Sequence, residues 1–109
     1  MHTVVETPTY LAAAAKAGMT ETERVAAVDQ IAADPQGGEV ISGGGGARKV
    51  RVAGRGKGKS GGYRILTYFM TEDEPVFLIS VISKSKSANL SDVQKAEVKS
   101  VAKDIRNER

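Results

Sequence analysis

Residues 63–82, YRILTYFM-TEDEP-VFLISVI, consist of two apolar segments joined by an acidic turn and give the strongest indication of the fold. Both segments are rich in β-branched and aromatic residues, which favour strands. The turn between them is short enough for antiparallel pairing. Residues 76–82 are nearly all apolar, as is typical of a strand buried on both faces. We therefore expect residues 76–82 to form the buried central strand of a small sheet.

A third strand is predicted just upstream, at residues 47–52 (ARKVRV). Within it, Lys49 and Arg51 alternate with the other side chains, so these two cations should share one face. Arg64 begins the strand that should pair with this one, and Lys84 follows the last strand of the sheet. Antiparallel pairing is expected to bring these four cations onto one concave surface.

Two helices are predicted before the strands. A threonine at position 7 or 9 can cap the first helix, which ends at Gly18 as at a C-terminal cap. Thr20 and Glu23 have the spacing of a capping box and predict the start of the second helix.

A short first strand at residues 3–5 and a last helix over residues 91–107 complete the predicted order: strand, two helices, three strands, helix. Helices packed on one face of a small antiparallel sheet make an α+β fold. The length of 109 residues suits one domain, and we expect residues 1–109 to form it.

Positive charge is concentrated in one segment, although the net charge is only +3. No Asp or Glu occurs between Glu39 and Glu72, whereas seven basic residues do. They are Arg48, Lys49, Arg51, Arg55, Lys57, Lys59 and Arg64. Such concentration is typical of a face that binds a polyanion. The alternative interpretation is a solvated basic loop that serves only solubility.

Several function classes are disfavoured by composition. The absence of cysteine excludes disulfides and thiolate metal sites. His2 is the only histidine and is not expected to be catalytic, and the carboxylates show no paired spacing, so we expect no metal and no cofactor. No apolar stretch is long enough to cross a bilayer and no signal peptide is evident, so we expect a cytoplasmic protein without membrane contact.

The segment GRGKGKS, residues 54–60, resembles the end of a nucleotide-binding phosphate loop. The loop requires a glycine where this chain has Ala53, and a strand rather than a helix follows it. A nucleoside triphosphate site is therefore not expected, but a loop that contacts phosphates is. Tyr63 borders this loop, where it can either stack on a base or pack in the core.

Taken together, several blocks resemble the RelE/HigB-type toxins of type II toxin–antitoxin pairs, and more narrowly a HigB-like branch. The resemblance covers about residues 20 to 105. The blocks that carry it are GGARKVRV (45–52), GKGKSGGYRI (56–65), FLISV (77–81) with its exit KSK (84–86), and LSDVQK (90–95).

This resemblance implies a RelE/ParE-like α+β fold and a metal-independent endoribonuclease that cuts mRNA on the translating ribosome. It also implies inhibition by a cognate antitoxin. Lys49 and Arg51 match the family's basic strand pair, Arg64 matches its Gly-Tyr-Arg-like motif, and Lys84 matches a basic residue after the apolar strand. By role, Arg64 and Lys84 would stabilise the pentacoordinate phosphate, while Lys49 or Arg51 would activate the attacking hydroxyl or neutralise charge.

Further residues are expected to contact RNA around these four, namely Arg48, Arg55, Lys57, Lys59, Tyr63 and Lys86. Some relatives carry a catalytic tyrosine after the apolar strand, where this chain has KSANL at residues 86–90. Two alternatives stay open at this point. One is a toxin of the same fold that inhibits DNA gyrase, and the other is an RNA-binding module without catalytic activity.

Overall fold

A computed structural model describes residues 2–53, 62–83 and 91–108 of the chain. It contains three helices and five strands in the described ranges. In chain order they are β1 (Val4–Glu6), α1 (Pro8–Ala17), α2 (Glu21–Ala33), β2 (Glu39–Val40), β3 (Arg48–Val52), β4 (Tyr63–Tyr68), β5 (Val76–Ser83) and α3 (Asp92–Asn107). The α+β class is confirmed, and the two-residue strand β2 is an addition to the predicted order.

The helix boundaries follow the local signals in the sequence. The hydroxyl of Thr7 caps α1, and Gly18 ends it in the left-handed region at φ +83°. In α2, the Glu23 amide donates to the Thr20 hydroxyl at 3.1 Å, and the Thr20 amide donates to the Glu23 carboxylate at 2.8 Å. Ser91 starts α3 with the same reciprocal motif. These caps satisfy amide groups that the first helical turn leaves without partners.

The five strands form one sheet in the order β1-β5-β4-β3-β2. Strands β3, β4 and β5 pair antiparallel as predicted, and β2 adds antiparallel to β3. Strand β1 lies parallel to the first part of β5, so the sheet is mixed rather than wholly antiparallel. Because β1 and β2 extend the sheet at its two edges, β4 and not β5 is its middle strand.

The helices lie on both faces of the sheet, and the expectation of a single helical face is wrong. The side chains that α1 and α2 bury on one face belong to a cluster of Tyr10, Ala14, Ala27, Ile31, Val50, Ile65 and Leu78. On the opposite face, α3 buries Val98 and Ala102 against Leu66, Tyr68 and Ile79. The physical reason is that β4 and β5 are apolar on both sides, so a second layer is needed to remove the other face from water.

A bulge interrupts the pairing of β4 with β5. Leu66 pairs with Ser80 and Thr67 pairs with Leu78, which leaves Ile79 as an extra residue in β5. The bulge explains why Leu78 and Val81 contribute to the same apolar cluster although three positions separate them. None of the helices in the described ranges is long and apolar enough to cross a membrane.

Candidate nucleic-acid interface

Three of the cations singled out from the sequence stand together on the face that α3 partly covers. Val50 on β3 and Ile65 on β4 point into the cluster beneath α1 and α2. Because side chains alternate along a strand, Lys49, Arg51 and Arg64 point to the opposite face. The register places Arg51 directly across from Arg64. We call these three side chains the cationic floor.

The spacing within the cationic floor brings like charges close together. Residues directly opposite each other in an antiparallel pair have Cβ atoms about 4.5–5.5 Å apart, so Arg51 and Arg64 are immediate neighbours. Lys49 is two residues from Arg51, or roughly 7 Å along the strand. Arg51 is exposed, while Lys49 and Arg64 are half-buried. Like charges in this arrangement repel each other, so an anion bound among them relieves a cost that the fold otherwise carries.

The backbone beneath the cationic floor is held by contacts to neighbouring elements. The Gln30 amide on α2 donates to the Arg51 carbonyl at 2.9 Å. Gly38 lies so close to the Lys49 carbonyl that any side chain at position 38 would collide with it. Beside Arg64, the Tyr63 hydroxyl donates to the buried Glu23 carboxylate at 3.2 Å. These contacts fix the points from which the three cations project.

Two residues expected to contact RNA lie elsewhere. Arg48 is on β3 but points to the face of Val50, away from the cationic floor, with Thr67 and Val40 as its register partners. The Tyr63 side chain is only 1% exposed. The prediction that it contacts RNA by stacking on a base is therefore wrong, and Tyr63 packs in the core. Burial, with the charge and hydrogen bond of Glu23, raises the pKa of the Tyr63 hydroxyl above its usual value.

The remaining predicted site residues lie outside the described ranges. They are Lys84, expected to be catalytic, and Arg55, Lys57, Lys59 and Lys86, expected to contact RNA. The GRGKGKS segment at residues 54–60 lies outside them as well. The His2 side chain contacts two residues of the fold. Its Nε2 lies 2.6 Å from the Glu74 carbonyl oxygen, and its ring packs against Phe69.

Sequence reasoning missed residues at the border of the floor. Glu39 pairs with Lys49 in the register of β2 and β3, and so adds a carboxylate to the same face. A two-residue strand has too little pattern to be recognised from sequence. Lys95, Lys99 and Lys103 recur at four-residue spacing on α3, and this helical periodicity is a signal that could have found them.

Among the described residues, a concave groove lies across β5, apart from the cationic floor. That groove has a volume of about 470 Å³ and is lined by Ala13, Lys16, Ala17, Ser80, Val81, Ile82 and Gln94. It contains none of the three floor cations. Several cations spread over neighbouring strands can each contact a different phosphate of a polymer that lies across them.

The described residues form a small mixed sheet with helices on both faces and three cations gathered on one of them, which is an arrangement that can attract an anion. Comparison with known families makes the assignment more specific. A sequence model described as "RelE toxin of RelE / RelB toxin-antitoxin system" matches residues 3–109. The chain therefore belongs to the RelE toxin family, as the sequence blocks predicted. Membership makes it a toxin of a toxin–antitoxin pair and implies an antitoxin as its partner.

Proposed function

We propose that this toxin is a metal-independent endoribonuclease that cuts mRNA on the translating ribosome and so inhibits translation in the cytoplasm. One observation carries the proposal: Arg51 stands directly opposite Arg64, with Lys49 on the same face. Two guanidinium groups so placed present paired N–H donors in the geometry that recognises phosphate oxygens. Donors in these positions would meet the negative charge that accumulates when a phosphodiester is cleaved.

The reaction that fits this arrangement needs no metal. The ribose 2′-hydroxyl gives up its proton as its oxygen attacks the adjacent phosphorus, and the bond from phosphorus to the 5′-oxygen breaks, so the proton lost at the 2′-oxygen balances the one that the 5′-oxygen takes up. The products are a 2′,3′-cyclic phosphate and a 5′-hydroxyl, which receives a proton. The pentacoordinate phosphorus carries more negative charge on its oxygens than the ground state does, and Arg51 and Arg64 would stabilise that added charge. Lys49 would neutralise the entering phosphate, and Lys84 is retained as a further catalytic cation by the family resemblance.

The choice of RNA follows from the chemistry, because only RNA has the attacking 2′-hydroxyl. Arg55, Lys57, Lys59 and Lys86 are proposed to hold the strand on either side of the scissile phosphate. Their charges add sequence-independent affinity for the backbone, which weakens as salt rises. Specificity for mRNA during translation would then come from the ribosome, which presents the strand.

The test uses three arginines of neighbouring strands. Arg51→Ala and Arg64→Ala each remove a floor cation and should lower the cleavage rate by about 10²–10³, the usual loss for one transition-state donor. Arg48→Ala is the matched control, because it removes the same side chain from the opposite face of the same strand. Brief expression followed by primer extension on mRNA measures the cuts, and growth measures the toxicity.

Three results would contradict the proposal. One is unchanged mRNA cleavage in both Arg51→Ala and Arg64→Ala while Arg48→Ala abolishes it. The second is broken DNA with intact mRNA after expression of the wild type, which would assign the toxin to gyrase inhibition. The third is intact RNA that is nevertheless bound, which would identify a module without catalytic activity.

A further inference from the structure

Beyond Asp92, which lies in the first turn at the same side as the lysines, helix α3 separates its charges onto two edges. Lys95, Lys99, Lys103 and Arg106 lie within about 80° of one another around the helix axis, because they recur at three- and four-residue spacing. We call them the basic edge of α3. Glu97, Asp104 and Glu108 lie on the other side, and the apolar stripe with Val98 and Ala102 packs on the sheet between the two.

Contacts to the loop before β3 fix which way the basic edge points. The side-chain stem of Lys99 lies against Gly45, since a Cβ added there would be 3.1 Å from its Cγ. Arg106 Nη1 donates to the Gly45 carbonyl at 2.9 Å and to the Tyr68 hydroxyl at 3.2 Å. Gly45 is three residues before β3, the strand of Lys49. The basic edge therefore faces the side of the sheet that holds the cationic floor.

The acidic edge points the other way. Glu97 and Gln94 line a groove together with Ser80 and Ile82 of β5. In the sheet, β4 lies between β3 and β5. The basic edge of α3 therefore points towards the β3 end of the strand order, and the acidic edge points towards the β5 end. The basic edge of α3 thus lies nearer to the cationic floor than the acidic edge does.

The lysines of the basic edge are accessible to a ligand. Lys99 and Lys103 are exposed and Lys95 is half-buried. None of the three lysines forms an ion pair with a carboxylate in the described ranges. With a rise of 1.5 Å per residue, Lys95 and Lys103 are about 12 Å apart along a rigid axis. Cations held in a straight row on a helix match phosphates that are themselves held in a regular row.

We infer that the basic edge of α3 binds the ribose-phosphate backbone of an A-form RNA duplex, beside the single strand that the cationic floor holds for cleavage. The inference rests on the proposed function and adds to it a second RNA contact. Such a contact positions the toxin without reading sequence. Double-stranded RNA is recognised in this way, through phosphates and shape. Structured RNA of the ribosome supplies this chemistry next to the mRNA.

The test measures binding of the full chain to a labelled RNA duplex of about 16 base pairs, a span typical for backbone recognition. Fluorescence anisotropy at several salt concentrations gives the affinity and its salt slope. The triple variant Lys95→Gln, Lys99→Gln, Lys103→Gln should bind about tenfold more weakly or worse. Its slope should be smaller by about 2–3, roughly one for each phosphate that the variant no longer neutralises. Lys16→Gln, an exposed lysine of α1, is the control and should change neither quantity.

A second variant separates this inference from the proposed function. Arg64→Ala should lower the rate of mRNA cleavage by about 10²–10³ but keep most of its affinity for the duplex. Wild-type affinity and slope in the triple variant, with circular dichroism showing a native fold, would overturn the inference. So would a triple variant that loses binding only to an antitoxin, since the edge would then be a protein interface. If the wild type leaves mRNA uncut yet the triple variant alone loses duplex binding, the proposed function fails and this inference stands.

Discussion

At the scale of single residues, the arrangement of Arg51 and Arg64 argues for function against stability. Opposite charges in facing positions stabilise a sheet, and like charges cost about 0.2–1 kcal/mol relative to neutral pairs. Lys49 has Glu39 as its facing residue, so the fold can place opposite charges across these strands. At Arg51 and Arg64 it does not. A repulsive pair at the middle of a sheet is what an anion site requires and a structural surface does not.

Tyr10 gives a residue-scale prediction for alkaline pH. Burial, then the charge of Glu6, raises the pKa of Tyr10 from 10.0 to about 12, although Arg24 opposes the shift. Between these two values the folded state keeps a proton that the unfolded state loses. Stability is therefore complete below about pH 10 and falls as the pH rises towards 12. A shift of this size corresponds to about 2–3 kcal/mol.

The variant Tyr10→Phe tests this by removing the titrating group. The hydroxyl has no hydrogen-bond partner among the described residues, so its loss should be nearly neutral at pH 7. The stability of the variant relative to wild type should then grow by about 2–3 kcal/mol between pH 9 and 12. Urea unfolding at each pH measures the difference, in which lysine titration common to both proteins cancels. Parallel curves for the two proteins would show that Tyr10 does not titrate in this way.

At the scale of helices and strands, the sequence predicts the features that depend on residues close together in the chain. The capping box at Thr20 and Glu23 and the left-handed Gly18 are both local, and both appear where the sequence places them. The apolar segments 63–70 and 76–82 likewise become β4 and β5. Strand β2 was missed because it owes its existence to its partner. Two residues form a strand only where β3 is already present to pair with them.

Gly38 supports a prediction about how β2 and β3 position Lys49. Gly38 and Gly18 both have positive φ, +86° and +83°, so alanine at either position costs about 1 kcal/mol in backbone strain. A Cβ at position 18 meets nothing within 4 Å, whereas one at position 38 collides with the Lys49 carbonyl. Gly38→Ala should therefore destabilise the fold by about 2–4 kcal/mol and Gly18→Ala by about 1 kcal/mol. Denaturant unfolding compares them, and equal losses would show that the close approach at Lys49 does not matter.

At the scale of the whole molecule, the limits of sequence reasoning are physical. The parallel pairing of β1 with β5 joins Val4 to Val76 across the chain, and no local pattern encodes such a contact. The side on which α3 packs depends on both faces of β4 and β5 at once, and a bulge at Ile79 shifts their period. That Lys49 and Arg51 share one face follows from the alternation of side chains along a strand, so it could be predicted from the sequence. The position of α3 beside this face could not be predicted, because it depends on how α3 packs on β4 and β5.

The sorting of charge over the molecule predicts that anions stabilise the fold. Sulfate is a probe for a phosphate group, and a bound anion raises stability by mass action, by about 2.7 kcal/mol at 100 times its Kd. For a domain of this size each kcal/mol raises the Tm by about 4–8 °C. Wild type should therefore gain several degrees in sulfate over chloride at equal ionic strength.

The double variant Arg51→Gln, Arg64→Gln should lose most of the increase in Tm that sulfate gives the wild type. In chloride it should be at least as stable as the wild type, because the repulsion between the two arginines is gone. Sulfate also stabilises proteins generally by being excluded from their surface, but that effect is common to all variants. Arg48→Gln removes one arginine charge from the other face and should keep the wild-type response. Thermal unfolding of the three proteins in both salts decides the matter. Equal sulfate gains in all three would mean that the cationic floor binds no anion, and the proposed cleavage site would lose its physical basis.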